Sequence, residues 1–108
     1  MNRGGYMRIL LFFDLPVKTK KQRRDYTRFR NYLLDEGFDM MQFSVYCRLC
    51  NGHESMERLL EKVKKNLPPK GSIRALPVTE KQYDRMRLLL GKKTANEERV
   101  TINQLSLF

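Results

Sequence analysis

A chain of 108 residues has room for one small domain, and its 41% hydrophobic content supplies a single core with little to spare. Its 22 Lys and Arg against 12 Asp and Glu leave a net charge of +10 and a pI near 10.0, which puts nucleic acid first among partners, ahead of an anionic membrane or a ribosome-type assembly. No stretch reaches the roughly 18 apolar residues of a membrane span. Residues Met1 to Tyr6 lack the features of a signal peptide, and two cysteines without such a leader fit a reducing cytosol, so the expectation is a cytoplasmic protein with no membrane partner.

Met7 to Leu15 is a short apolar run, aromatic near its end and followed by Pro16, which predicts a buried strand. Thr19-Lys20-Lys21-Gln22 is a capping box, in which the hydroxyl and the amide satisfy orphan N–H groups reciprocally. Tyr26, Phe29 and Leu33 then recur at helical spacing toward Gly37, predicting a helix over about 20–36. Phe38 to Cys50 is rich in β-favouring residues and reads either as one long bent strand or as two strands meeting near Gln42-Phe43-Ser44. After the Asn51-Gly52 turn, Met56, Leu59, Leu60, Val63 and Leu67 give a second amphipathic helix stopped by Pro68-Pro69.

Gly71 opens another strand over Ser72 to Val78, and a second capping box, Thr79 to Gln82, starts a short helix carrying Tyr83 and Met86. Arg87-Leu88-Leu89-Leu90 reads as a final core strand before Gly91. Residues 92–99 form a polar linker, and Val100 to Phe108 alternates again, with a phase slip between Ile102 and Leu105 that suits a bulge. That last strand joins either its own sheet or an edge on a partner. The chain thus divides into a domain over 1–91 and, over 92–108, a linker and C-terminal strand for dimer or partner pairing. The order β-α-β-β-α-β predicts an α+β, ferredoxin-like sandwich, an antiparallel sheet backed by two helices, with the additional C-terminal strand. Such a fold decides nothing about activity.

Chemistry concentrates in two places. Asp14 is the one acidic residue inside an apolar stretch, and it closes the first strand. Magnesium takes one or two protein carboxylates and keeps several waters, so one Asp per chain becomes a metal site if a twofold axis brings a second copy opposite. The alternative is local: Asp14 caps a turn with Thr19 or pairs with Lys18. From Lys18 to Arg30 there are seven cations against the single acid Asp25, and Lys20, Arg24 and Arg28 line one helix face. With Lys18 and Lys21 they suit phosphate contacts, the duller reading being a solvated face. Arg8, Arg74 and Arg87, in or beside strands, either extend that surface or point to water.

Cys47 and Cys50 have C-x-x-C spacing but would point to opposite faces of a strand. With His53 they fall short of a four-ligand zinc site and read as incidental thiols. His53 reads as an exposed loop residue. No glycine-rich phosphate loop, RNA-recognition octamer or serine nucleophile with a base is present.

Leu11-Phe12-Phe13-Asp14-Leu15-Pro16, Tyr26-Thr27-Arg28-Phe29-Arg30, Gly37-Phe38 and Gln42-Phe43-Ser44-Val45-Tyr46 together resemble the CRISPR-associated protein two family, closest to its type II versions. Gly71 to Leu76 and Thr79 to Tyr83 extend the likeness, which runs from about Met7 to Leu90. The resemblance implies a ferredoxin-like homodimer that acts in spacer acquisition, bridging dimers of the CRISPR integrase and holding double-stranded prespacer DNA by its backbone. Asp14 matches the family's strand-end aspartate, associated with magnesium at the dimer interface and with metal-dependent endonuclease activity in some members, while others act as scaffolds. The duplex-holding scaffold is the first expectation, with nuclease chemistry at Asp14 weak or latent. The alternative is a metal-dependent endoribonuclease, or a toxin-like ribonuclease, acting on its own on RNA.

Overall fold

In the computed structural model, which describes residues 5–92, the chain forms β1 (Met7–Asp14), α1 (Lys20–Asp35), β2 (Asp39–Gln42), β3 (Val45–Cys50), α2 (His53–Lys64), β4 (Ser72–Thr79) and a short α3 (Glu80–Asp84). The sheet order is β2-β3-β1-β4 with every neighbouring pair antiparallel, the expected ferredoxin-like α+β arrangement with α3 added. The segment after Phe38 is therefore two strands, hinged at Phe43-Ser44, where Ser44 takes a positive φ of 64°. The expected linker and C-terminal strand lie outside the described residues.

Strand alternation divides the sheet into two unlike faces. From β1, Ile9, Leu11 and Phe13 face the helices and meet Phe29 and Leu33 of α1 and Met56, Leu59 and Val63 of α2. Tyr46 and Cys50 of β3 share that side, and Phe13 sits at the centre of the core. Its ring meets Phe29 edge-on at 5.5 Å and stacks on Tyr46 at 5.4 Å. The even-numbered residues of β1, from Arg8 to Asp14, face the other way, where neither long helix packs.

Local chemistry sets the ends of α1. The Thr19 hydroxyl accepts from the Gln22 N–H at 3.0 Å, and the Gln22 side chain accepts from the N–H of Thr19 at 3.1 Å, so the predicted capping box forms. At the other end Gly37 has a φ of 89°, and the Phe38 and Gly37 N–H groups donate to Leu33 and Leu34 carbonyls at 2.9 and 3.0 Å. This closure turns the chain so that Phe38 enters the core.

Three expectations need correction. The second helix ends at Lys64, because the Lys65 and Asn66 N–H groups turn back to the carbonyls of Lys62 and Val63, and the residue before a proline avoids helical geometry. Leu67 is accordingly exposed. His53 opens α2 instead of lying in a loop, though it is exposed as expected. Arg87 to Leu90 is not a core strand: Leu89 and Leu90 are 90% and 92% exposed. An apolar run becomes a strand by pairing with an edge, and this one pairs with none among the described residues.

Candidate nucleic-acid interface and a strand-end carboxylate

Asp14 ends β1 opposite Ser72 and is exposed on the side of the sheet away from the helices. Two backbone devices fix its position. Gly71, at a φ of 114°, lets the chain pass so close that a Cβ there would stand 2.5 Å from Leu15 Cδ2 and 2.8 Å from the Asp14 carbonyl oxygen. From the turn between β2 and β3, the Ser44 carbonyl accepts from the Phe13 N–H at 3.0 Å. The Asp14 carboxylate itself has no hydrogen bond or ion pair among the described residues. Thr19 is committed to Gln22, and Lys18 makes no ion pair among the described residues, so neither local role weighed for Asp14 is realised there.

Among the described residues no three His, Cys, Asp or Glu side chains gather as a metal cluster. One exposed, unengaged carboxylate nevertheless fits magnesium as half of a shared site, because that ion keeps most of its waters and takes one or two carboxylates.

The basic helix sorts its cations into different tasks. Lys20, Arg24 and Arg28 lie along one groove with a volume of about 830 Å³, together with Thr27, Asn31 and, at the end of α2, Asn66. No acid pairs with these three cations among the described residues, although Asp35 lies at the groove's far end. The Tyr32 hydroxyl oxygen in the groove wall is buried beside Asn66 with no geometric hydrogen-bond partner among the described residues, and burial raises its pKa. Lys21 instead pairs with Asp25 at 3.0 Å. Arg23 turns back to donate to the Val17 and Lys18 carbonyls, both at 3.1 Å, and so braces the loop that enters the helix. Lys18 is exposed beside that loop.

The sheet face carrying Asp14 is apolar toward solvent. Phe12, Leu49 and Leu76, staggered across three adjacent strands on this face, are 37%, 43% and 49% exposed. At its other end, Arg8 is engaged instead of extending the basic surface. It forms a two-point ion pair with Glu80 and lies 4.0 Å from the centre of the Tyr83 ring, tying α3 to β1. Burial works against the Arg8 charge, but the hydrogen bond and attraction from Glu80 outweigh it and raise its pKa. Burial also pushes the Cys47 and Cys50 thiols up; both are free and they occupy opposite faces of β3, as expected of incidental thiols.

Sequence reasoning missed the groove's second wall, because Asn66 joins Lys20, Arg24 and Arg28 only where the end of α2 packs beside α1, whereas Tyr32 continues their row on α1 itself. The Asn66 side chain's bond to the Lys62 carbonyl, at 2.9 Å, is a helix-end feature that no spacing rule flags.

Comparison with known proteins bears on the whole of this geometry. The model of the family described as CRISPR associated protein Cas2 matches residues 7–86. A protein of Acidovorax ebreus named CRISPR-associated endoribonuclease Cas2 is 49% identical over 102 residues, covering 94% of this chain and 100% of that protein. Proteins of the same name from Campylobacter jejuni and Flavobacterium psychrophilum are 50% and 40% identical across 100% of this chain, covering 76% and 93% of their own lengths.

Proposed function

The chain belongs to the CRISPR-associated Cas2 family, and from that premise we propose that it serves spacer acquisition as a homodimer that holds double-stranded DNA by its backbone and bridges dimers of the CRISPR integrase. Magnesium-dependent endonuclease chemistry at a pair of Asp14 carboxylates is the second part of the reading.

The observation that carries the scaffold is the row Lys20, Arg24 and Arg28, three cations on one groove with no acid spent on them among the described residues. The row spans about 12 Å at 1.5 Å per residue, and a duplex carries a charge for every ~1.7 Å of its axis, so one groove faces several phosphates. Contacts of this kind position a duplex without reading its sequence, which suits a protein that accepts unrelated DNA segments. Lys18 and Lys21 flank the row, Lys21 with its charge partly offset by Asp25.

The apolar sheet face of Phe12, Leu49 and Leu76 supports the homodimer, since a second copy would remove that surface from water. Twofold pairing with its axis at the Asp14 end of that face would bring two Asp14 side chains to one place. A magnesium ion held by them would supply charge stabilisation at a phosphodiester; Asp14 itself would orient a metal-bound water by accepting its hydrogen bond. The relatives' name, endoribonuclease, favours a second reading in which the same carboxylates cut RNA without an integrase, as a metal-dependent or toxin-like ribonuclease.

The scaffold is tested by duplex binding as a function of salt. Replacing Lys20, Arg24 and Arg28 together by Ala is expected to lower the slope of log affinity against log salt by about 2 to 3. An unchanged slope would remove the groove from the duplex interface.

A further inference from the structure

On the side of α1 away from the cation groove, a hollow of about 330 Å³ opens between the first turn of the helix and the loop before β4. Its walls include Leu15, Pro16, Tyr26, Pro68 and Pro69, with Lys70 at the rim. Leu15 and Pro16 directly follow Asp14, so the hollow adjoins the strand-end carboxylate along the chain. We propose that it binds one unpaired nucleotide of a single-stranded nucleic acid, the base lying against Tyr26 and the prolines and the phosphate meeting Lys70. This rests on the reading that the protein handles nucleic acid and adds a site for single strands to it.

Three features point to that ligand. The exposed wall surface is mostly apolar and includes proline rings and the Tyr26 ring, which suits a base and its π-face whatever the sequence. They are also rigid. Three prolines have fixed φ, and the Tyr26 ring is held between Phe13, edge-on at 6.1 Å, and Phe43, stacked at 6.4 Å. A base entering such a site orders few side chains. The charge at the rim is complementary as well. Asp25, the acid in the lining, is paired with Lys21 at 3.0 Å, whereas Lys70 has no acid partner among the described residues. The volume lies at the small end of ligand pockets, ~300–1,000 Å³, and suits a single base better than a base pair. Phe43, 78% exposed on the β2–β3 turn, offers a further ring beside the same site.

The experiment uses the full chain with short single strands, ribose and deoxyribose in separate arms, each carrying one fluorescent 2-aminopurine. An unlabelled duplex is titrated in parallel. Binding is expected to quench the 2-aminopurine, and Lys70→Glu to weaken single-strand affinity about fivefold to tenfold while duplex affinity changes less than about twofold. Tyr26→Leu is expected to remove most of the quenching; should that variant fail to fold, Lys70→Glu decides alone. The proposal is overturned if saturating strand leaves the fluorescence unchanged, or if Lys70→Glu weakens both ligands equally or neither. Loss of duplex binding with single-strand quenching retained would sink the scaffold and leave this site standing. A difference between the ribose and deoxyribose arms identifies which strand the hollow prefers.

Discussion

The two faces of the sheet are built from the same strands and do opposite things. On one, Ile9, Leu11, Phe13 and Tyr46 are sealed under α1 and α2, and the aromatic cluster around Phe13 sets the stability of the single chain. On the other, Phe12, Leu49 and Leu76 keep large apolar side chains partly in water, with Asp14 at their end. The difference teaches that the apolar run of β1 puts large side chains on both of its sides, one sealed by the chain's own helices, the other buried at Leu10 but left partly in water at Phe12. Lys20, Arg24 and Arg28 stand on the outer surface of the helix layer, while the bare face carries Asp14 at its end and an exposed Arg74 opposite Phe12.

The sharpest way to break this contrast is to damage one face at a time. Phe29→Ala, on the covered face, should cost about 3–5 kcal/mol of stability, read as a lower urea midpoint at constant slope. Leu76→Asp, on the bare face, should change the stability of the single chain by less than about 1 kcal/mol. In sedimentation, however, it should shift the protein from dimer to monomer. If Leu76→Asp leaves the assembly untouched, the bare face is not where copies meet. A smaller effect is expected at the helix start. Thr19→Ala removes the cap and should cost about 1 kcal/mol in thermal or urea unfolding, with the Lys20, Arg24 and Arg28 row still aligned. A loss of 3 kcal/mol or more there would mean that the entry loop braced by Arg23 unravels with the cap.

What could be read from the sequence was whatever is local. The capping box at Thr19 and the glycine at Gly37 bracket α1 to within a residue, and Asp14 stands out because a charge in an apolar strand needs a reason. Spacing alone also put Lys20, Arg24 and Arg28 on one line. The Arg87 to Leu90 run misled because composition reports a preference for burial and not the presence of an edge to pair with. The groove wall at Asn66 and the hollow between Pro16 and Pro68 were invisible, since each joins residues roughly forty to fifty positions apart that only the folded chain brings together. The unlike faces of the sheet were hidden for a related reason: in a continuous apolar run, alternation gives no sign of which side the helices take.

The most direct test of the divided molecule is a magnesium-titrated cleavage assay of wild type beside Asp14→Ala, on RNA and on DNA, with duplex binding recorded in the same samples. The account predicts that any metal-dependent cutting is lost in Asp14→Ala while duplex affinity and its salt dependence stay within about twofold of wild type. Cutting that survives the substitution, or duplex binding that collapses with it, would contradict the separation of the carboxylate from the phosphate-holding groove.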